Sequence, residues 1–265
     1  MAYKTLKVAT DDRGVCQLTL ARPDVHNAMN KALIAEMRDA VRNIAGDQKI
    51  RVVVLTGEGK SFCAGGDLRW MEANAAMTRE GRIKEAGELA DMLYELDSLP
   101  KPVIGRINGS AYGGGTGMMS VCDLTIGVNT ARFGLTEVRL GLIPATISPY
   151  VVRAMGPGNA RKVFFSGRLF SAEEAHGLNL LSQVVAPEDL DAAIEKEVAE
   201  FLQAAPGAIA ATKRLVNFVA AHDHEKNRDY TLTALADAWE TEEGQQGINA
   251  FLNKQTPWWR KGKKQ

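Results

Sequence analysis

The segment Lys101–Asp123, KPVIGRINGSAYGGGTGMMSVCD, joins an apolar run to a glycine-rich turn and a second apolar run. A short apolar run, typical of a buried strand, leads into three consecutive glycines and then into an apolar helical segment. Backbone N–H groups in the first turn of a helix have no partner within that helix. Such groups can bind an anion or a developing negative charge, and glycine lets a ligand approach the main chain closely.

Another glycine turn, GEGKSFCAGGD at residues 57–67, lies earlier in the chain and also follows an apolar β-branched run. Two converging N–H groups, one from each turn, would form an oxyanion hole. The alternative is that both glycine clusters only turn corners in a tightly wound fold, and the residues alone leave both interpretations open. Neither turn contains a P-loop or a dinucleotide-binding fingerprint.

Composition limits the classes of function that remain. The 265 residues allow one large domain, or one domain with an appendage, and carry 32 basic and 32 acidic side chains. This balance provides no bulk attraction to nucleic acid or to an anionic membrane. Without a signal-type or membrane-length apolar segment, we expect a cytoplasmic protein with no nucleic-acid or membrane partner. Cys16, Cys63 and Cys122 are expected to be packing residues.

The order of predicted elements indicates an α/β fold with crossover connections between strands. Apolar runs predict strands, and 3.6-residue periodicity predicts helices at residues 27–47 and 79–100. The predicted strands lie at residues 14–23, 50–62, 101–109 and 122–128. From Ser171 onward the chain is predicted to be helical except at residues 181–185. We therefore divide it into a core at residues 1–195 and a C-terminal helical region at residues 196–265.

Three motifs in register carry a family resemblance: FCAGGDL at residues 62–68, the quoted segment at 101–123, and ARFGLTEVRLGLIP at 131–144. Together they resemble the crotonase (enoyl-CoA hydratase/isomerase) superfamily, and the similarity extends from Leu18 to Trp259. The resemblance implies a spiral of ββα units with a C-terminal helical region used in trimerisation. It also implies a homotrimer, or a homohexamer built as a dimer of trimers, and an acyl-coenzyme A thioester as substrate. Coenzyme A is then part of the substrate, so no separate cofactor and no metal are expected.

The resemblance also assigns roles to individual residues. The main-chain N–H groups of Gly66 and Gly114 correspond to the oxyanion donors, which would stabilise the enolate of the thioester. Glu137 matches an acid-base glutamate, and its apolar surroundings predict a raised pKa. The residues implied to bind the coenzyme A part or the thioester of the substrate are Arg22, Ala64, Gly65, Gly66, Asp67, Leu68, Tyr112, Gly114, Phe251 and Lys254. Asp67 is also expected to cap a helix, and Asp123 to be a structural hydrogen-bond partner.

Position 117 departs from the pattern. Hydratases with two catalytic glutamates have the first one here, whereas Gly117 cannot transfer a proton. A single glutamate can move a proton between carbon atoms, so an enoyl-CoA isomerase is an alternative, and Tyr112 or Ser148 could orient water for a hydratase. A non-catalytic crotonase-like binding subunit is a further alternative, which the two glycine turns and Glu137 disfavour. A serine esterase is disfavoured because no G-x-S-x-G motif is present.

The segment Gly141–Tyr150, GLIPATISPY, favours a particular substrate class. Together with GGGTGM at residues 113–118 and LTEVRLGLIPA at residues 135–145, it resembles bacterial hydratases for branched glutaconyl-CoA thioesters. These are of the 3-methylglutaconyl-CoA type in leucine breakdown or the isohexenylglutaconyl-CoA type in acyclic terpene breakdown. The sequence therefore predicts a lyase that hydrates such a thioester. The second carboxylate of this substrate needs a basic or hydroxyl partner, for which the candidates are Arg139, Ser148, Tyr150 and Arg153.

Overall fold

The computed structural model describes residues 3–260, and within them the chain forms ten strands and eleven α-helices. The strands are β1 (Leu6–Thr10), β2 (Val15–Leu20), β3 (Val52–Gly57), β4 (Ser61–Cys63), β5 (Val103–Ile107), β6 (Ser110–Tyr112), β7 (Leu124–Val128), β8 (Arg132–Gly134), β9 (Leu169–Ser171) and β10 (Gln183–Val185). The helices are α1 (Lys31–Gly46), α2 (Leu68–Ala75), α3 (Arg79–Asp97), α4 (Gly114–Ser120), α5 (Ser148–Met155), α6 (Pro157–Phe164), α7 (Ala172–Gly177), α8 (Leu190–Phe201), α9 (Pro206–Ala221), α10 (His224–Glu240) and α11 (Glu242–Leu252). Short 3-10 helices occupy Pro23–Val25, Glu137–Leu140, Pro187–Asp189 and Trp258–Arg260.

The larger sheet has six strands in the order β1-β2-β3-β5-β7-β10. From β2 to β10 neighbouring strands are parallel, as the predicted crossover connections require. Every residue of β3 is buried. The continuous apolar run in its sequence is typical of a parallel strand that is covered on both faces. The hairpin between β1 and β2 was not predicted, and it is antiparallel across a turn at Gly14.

The smaller sheet was also missed by the sequence patterns. It has four strands in the order β4-β6-β8-β9, each only three residues long, which is too short to show periodicity. The chain passes from a strand of the larger sheet to a strand of the smaller sheet and then into a helix, as in β3-β4-α2, β5-β6-α4 and β7-β8-α5. This repeat confirms the α/β fold of ββα units.

The predicted helices at residues 27–47 and 79–100 are confirmed as α1 and α3, which pack against each other. Helix α1 begins after Asn30, whose side chain accepts a hydrogen bond from Leu33 N at 2.9 Å. The apolar face of α1 is buried in the core shared with the larger sheet. Helix α1 therefore covers the larger sheet, whereas the two glycine turns follow strands of the smaller sheet.

Two basic side chains connect the C-terminal part of the chain to the core through hydrogen bonds and an ion pair. The Arg51 guanidinium donates to the carbonyl oxygens of Leu202, Ala204 and Trp259 at 2.9–3.0 Å. Lys213 Nζ on α9 lies 2.7 Å from Asp123 Oδ2. The expected boundary at residue 195 falls within α8, which packs on β5 and β7. Residues 261–265 of the expected C-terminal region lie outside the described residues.

Several smaller expectations are settled by the fold. Asp123 Oδ2 accepts a hydrogen bond from Val103 N at 2.7 Å, which confirms its structural role. Cys16 and Cys63 are buried free thiols, and burial raises the pKa of Cys63 to about 12. Within residues 3–260, every helix is either too short or too polar to span a lipid bilayer.

Candidate active site

Three adjacent strands of the smaller sheet end at the same edge. Strands β4, β6 and β8 are parallel neighbours, with Cys63 paired to Ala111 and Tyr112 paired to Gly134. The carboxyl ends of parallel strands meet at one edge of a sheet, so the residues that follow them are brought together. Here these are the first glycine turn, residues 64–67, after β4; the second glycine turn, residues 113–115, after β6; and Glu137 after β8.

The two glycine turns and the glutamate are in close proximity. Gly65 has φ of +92°, and a Cβ there would lie 2.8 Å from Tyr112 O and 3.9 Å from Gly114 N. Gly113 has φ of +48°, and a Cβ there would lie 2.9 Å from Glu137 Oε1. Both turns therefore need glycine for the backbone conformation and for the close approach. The resulting arrangement places the carboxyl group of Glu137 beside the second turn.

The N–H groups of Gly66 and Gly114 donate no hydrogen bond to any atom of residues 3–260. On either side of Gly66, Met29 N donates to Gly65 O at 2.7 Å and Asp67 N donates to Met29 O at 2.8 Å. In this parallel pairing the N–H of Gly66 points away from Met29. Gly114 is the first residue of α4, where N–H groups have no partner within the helix. Two such donors can stabilise an oxyanion.

Glu137 begins the 3-10 helix that follows β8, and its carboxyl group is mostly buried. Its Oε2 atom is buried without a hydrogen-bond partner among the described residues. Burial disfavours the ionised form and raises the pKa of Glu137 above its ordinary value of 4.5. This is the direction that the sequence predicts, and a pKa closer to neutral suits a group that both takes and gives a proton.

The space next to Gly117 is filled. A Cβ at this position would overlap Ile147 Cγ2 and lie 2.7 Å from Ile147 Cβ. Ile147 is only 2 % exposed and comes from the segment that enters α5. The position therefore lacks both an acid and the room for one. The sequence showed the missing acid but gave no signal for the isoleucine, because the two residues are thirty positions apart.

Arg22 and Asp67 form an ion pair with 2.8 Å between Nη2 and Oδ2. The other terminal nitrogen of Arg22 donates to the carbonyl oxygen of Ala28. Hydrogen bonding from Arg22 lowers the pKa of the Asp67 carboxyl group. The same carboxylate accepts a hydrogen bond from Arg69 N at 3.0 Å, which confirms Asp67 as the cap of α2. Arg22 thus has internal partners, and its contact with coenzyme A stays a prediction.

The other residues expected at the substrate lie in two places. Leu68 begins α2 directly after the first turn and is 82 % exposed, while Tyr112 is half-buried at the end of β6. Phe251 and Lys254 are exposed at the end of α11, which packs on α9 and α10. Within one chain, the first group borders the glycine turns and the second belongs to the C-terminal helices.

The four candidates for binding a second carboxylate also lie in different places relative to Glu137. Arg153 is paired with Asp97 and lies over the Tyr150 ring at 5.5 Å, in the lining of a cavity of about 580 Å³ that does not include Glu137. Ser148 Oγ donates to Ala145 O at 2.8 Å.

Arg139 lies two residues beyond Glu137 on the same 3-10 helix. Its side chain is exposed, and its Nε atom donates to Ser166 O at 3.3 Å. Among the four candidates, this is the cation that the sequence places nearest to the glutamate.

Comparison with known proteins identifies the family. The family model described as enoyl-CoA hydratase/isomerase matches residues 10–263. A crotonyl-CoA hydratase of Syntrophomonas wolfei is 31% identical over 257 residues, which cover 96% of this chain and 97% of that protein. The crystal structure of an enoyl-CoA hydratase from Shewanella pealeana has a TM-score of 0.93 at 36% identity, covering 97% of this chain and 96% of that one. Pseudomonas aeruginosa AtuE has a TM-score of 0.93 at 32% identity, covering 97% and 100%. The chain is therefore an enzyme of the enoyl-CoA hydratase/isomerase family, the crotonases.

Proposed function

We propose that this enzyme adds water to the double bond of a branched glutaconyl-CoA thioester, of the 3-methylglutaconyl-CoA or isohexenylglutaconyl-CoA type, in leucine or acyclic terpene breakdown. The observation that carries the proposal is the carboxyl group of Glu137: its Oε2 is buried without a hydrogen-bond partner among residues 3–260, and its Oε1 lies beside Gly113 in the turn that offers the N–H of Gly114. Relatives named crotonyl-CoA hydratase and enoyl-CoA hydratase support the reaction class. The substrate class rests on the segment Gly141–Tyr150.

The proposed reaction uses Glu137 twice. Its ionised carboxylate takes a proton from water as the water oxygen bonds to Cβ, and the electron pair of the double bond moves onto the thioester oxygen. The N–H groups of Gly66 and Gly114 stabilise this enolate, and one such donor lowers the barrier by roughly 3–4 kcal/mol. Glu137 then returns the proton to Cα, so that one water has been added and the carboxylate is regenerated.

Arg139 is the proposed partner of the second substrate carboxylate. It lies on the 3-10 helix that begins at Glu137, and its side chain is exposed. A guanidinium can bind a carboxylate with two parallel hydrogen bonds, which fixes orientation as well as adding affinity. Arg153 is a weaker candidate because Asp97 already balances its charge. The proposed coenzyme A contacts come from Arg22, residues 64–68 and Tyr112, with Phe251 and Lys254 from the same or a neighbouring subunit.

Isomerisation of a 3-enoyl-CoA to its 2-enoyl isomer is the second candidate function. The observation that favours it is Ile147, which fills the space where a second acid would lie beside Gly117. A single carboxylate can take a proton from Cα and return it at Cγ through the same stabilised enolate. This route needs no activated water.

We also propose a homotrimer, or a hexamer of two trimers. Helices α9 and α10 expose large apolar side chains in the single chain, among them Val216, Leu232, Leu235 and Trp239. Contiguous exposed apolar surface is typical of a protein interface. A second and third copy of this chain would cover it.

The proposed activity is tested by following the conjugated-thioester absorbance of 3-methylglutaconyl-CoA, with crotonyl-CoA and a 3-enoyl-CoA as comparison substrates. Loss of absorbance with the branched glutaconyl-CoA, at higher kcat/KM than with crotonyl-CoA, is expected. Arg139→Met should raise KM for the glutaconyl substrate at least about tenfold and leave crotonyl-CoA unchanged, because only the former has a second carboxylate to lose its partner. Rapid gain of absorbance from the 3-enoyl-CoA, with no hydration, would instead identify an isomerase.

A further inference from the structure

We infer that Met29 is a positioning residue that sets the distance between the two oxyanion donors, holding one through its backbone and the other through its side chain. The inference rests on the proposed roles of Gly66 and Gly114. Met29 lies in the segment between the 3-10 helix at Pro23–Val25 and α1, and it was not among the residues expected to contribute to the site.

The backbone of Met29 fixes the first turn. Its N–H donates to Gly65 O at 2.7 Å, and its carbonyl oxygen accepts from Asp67 N at 2.8 Å. These two bonds bracket Gly66, so the peptide that carries the proposed donor cannot rotate without breaking one of them. Arg22 adds a further connection, since its guanidinium joins Ala28 O to the Asp67 carboxylate. The orientation of the Gly66 N–H is therefore tied to residues 28 and 29.

The side chain of Met29 supports the second turn. A Cβ on Gly114 would overlap Met29 Cε and lie 3.6 Å from Met29 Sδ. The methyl group thus occupies the space beside the Cα of the residue that carries the other donor. Met29 is 1 % exposed and belongs to the main hydrophobic core, so its side chain is held by packing. One residue therefore contacts both turns, one on each side of the proposed thioester oxygen.

Catalysis by two donors depends on the distance between them. The two N–H groups must converge on one oxygen, and a displacement of about 1 Å at a catalytic group can cost about 100-fold in rate. Truncating the Met29 side chain leaves its two backbone hydrogen bonds on either side of Gly66 in place but removes the methyl group that packs against Gly114. The change should affect the transition state, whereas residues 64–68 and the other proposed coenzyme A contacts are unaltered.

The test compares Met29→Ala and Met29→Leu with Met37→Ala. Met37 is the matched control, because it is a fully buried methionine on α1 and loses the same atoms when truncated. We expect Met29→Ala to lower kcat about 10- to 100-fold with KM changed less than about threefold. Met29→Leu, which keeps most of the apolar volume, should restore kcat to within a few-fold of wild type. Met37→Ala should lower the melting temperature as Met29→Ala does but leave kcat unchanged.

A spectroscopic readout isolates the donors from turnover. Butanoyl-CoA labelled with ¹³C at the carbonyl cannot be hydrated, and its infrared C=O stretch falls in frequency when the oxygen accepts hydrogen bonds. Wild type and Met37→Ala should show the full downshift on binding, and Met29→Ala a smaller one. An equal downshift and equal kcat in Met29→Ala would overturn the positioning role alone. If wild type gives no downshift, the proposed oxyanion hole fails and this inference fails with it.

Discussion

The filled space beside Gly117 predicts that adding a single methyl group there destabilises the protein. A Cβ at position 117 would overlap Ile147 Cγ2 and lie 2.7 Å from Ile147 Cβ, whereas ordinary contact begins at 3.4 Å. Because Ile147 is buried and its Cβ, which a change of rotamer does not move, is one of these two atoms, a rotamer change alone cannot clear the space. Overpacking of this kind typically costs about 1–3 kcal/mol.

The expected change in the free energy of unfolding of Gly117→Ala results from two opposing effects. Gly117 lies inside α4, where alanine is favoured over glycine by about 1 kcal/mol. If overpacking costs about 3 kcal/mol, Gly117→Ala should lower the free energy of unfolding by about 2 kcal/mol. In an Ile147→Ala background the Cγ2 overlap is gone and the remaining contact can open, so Gly117→Ala should be close to neutral. The expected coupling energy between the two positions is therefore about 2 kcal/mol.

The assay is urea unfolding of the four proteins of the cycle, at one protein concentration so that any association contributes equally. Gly87→Ala is the matched control, because Gly87 lies inside α3 and a Cβ added there would have no atom within 4 Å, so this variant should gain up to about 1 kcal/mol. If Gly117→Ala stabilises the protein as Gly87→Ala does, the space at position 117 is open and the reasoning is wrong. A confirmed cycle would mean that an acid cannot be restored at position 117 without also changing Ile147.

The remaining predictions concern the glutamate and the C-terminal helices. Glu137→Gln should lower kcat at least about 100-fold without lowering the melting temperature, because Oε2 has no hydrogen-bond partner among residues 3–260 to lose; near-normal turnover would remove Glu137 from the reaction. In wild type, kcat/KM should fall as pH drops through the Glu137 pKa, which burial places above 4.5, since the protonated group cannot take a proton from water. A fall in kcat/KM whose midpoint lies at or below pH 4.5 would contradict this assignment. Leu235→Lys on α10 should reduce the molar mass measured by light scattering, whereas Val8→Lys, another exposed apolar position, on β1, should not. An unchanged mass for Leu235→Lys would exclude this face as the interface.

Long, periodic or fully buried segments were predictable from sequence. Helices α1 and α3 follow from apolar periodicity and strands β3, β5 and β7 from continuous apolar runs, since each buries enough residues to leave a pattern in the sequence. The smaller sheet was missed because its strands have three residues each, and it is this sheet that brings the two glycine turns and Glu137 to one edge. The part of the fold that assembles the site was therefore the part with the weakest local signal.

The residue types at the site can be read from the sequence: two glycine turns that follow strands, one glutamate in an apolar segment, and no acid at position 117. How these residues contact one another follows from the packing of the folded chain. Ile147 fills the space at Gly117, Met29 contacts both turns, and Arg22 is paired with Asp67. Local chemistry is encoded by neighbours along the chain, whereas these contacts join residues far apart in sequence, and their distances exist only once the sheets and helices have packed.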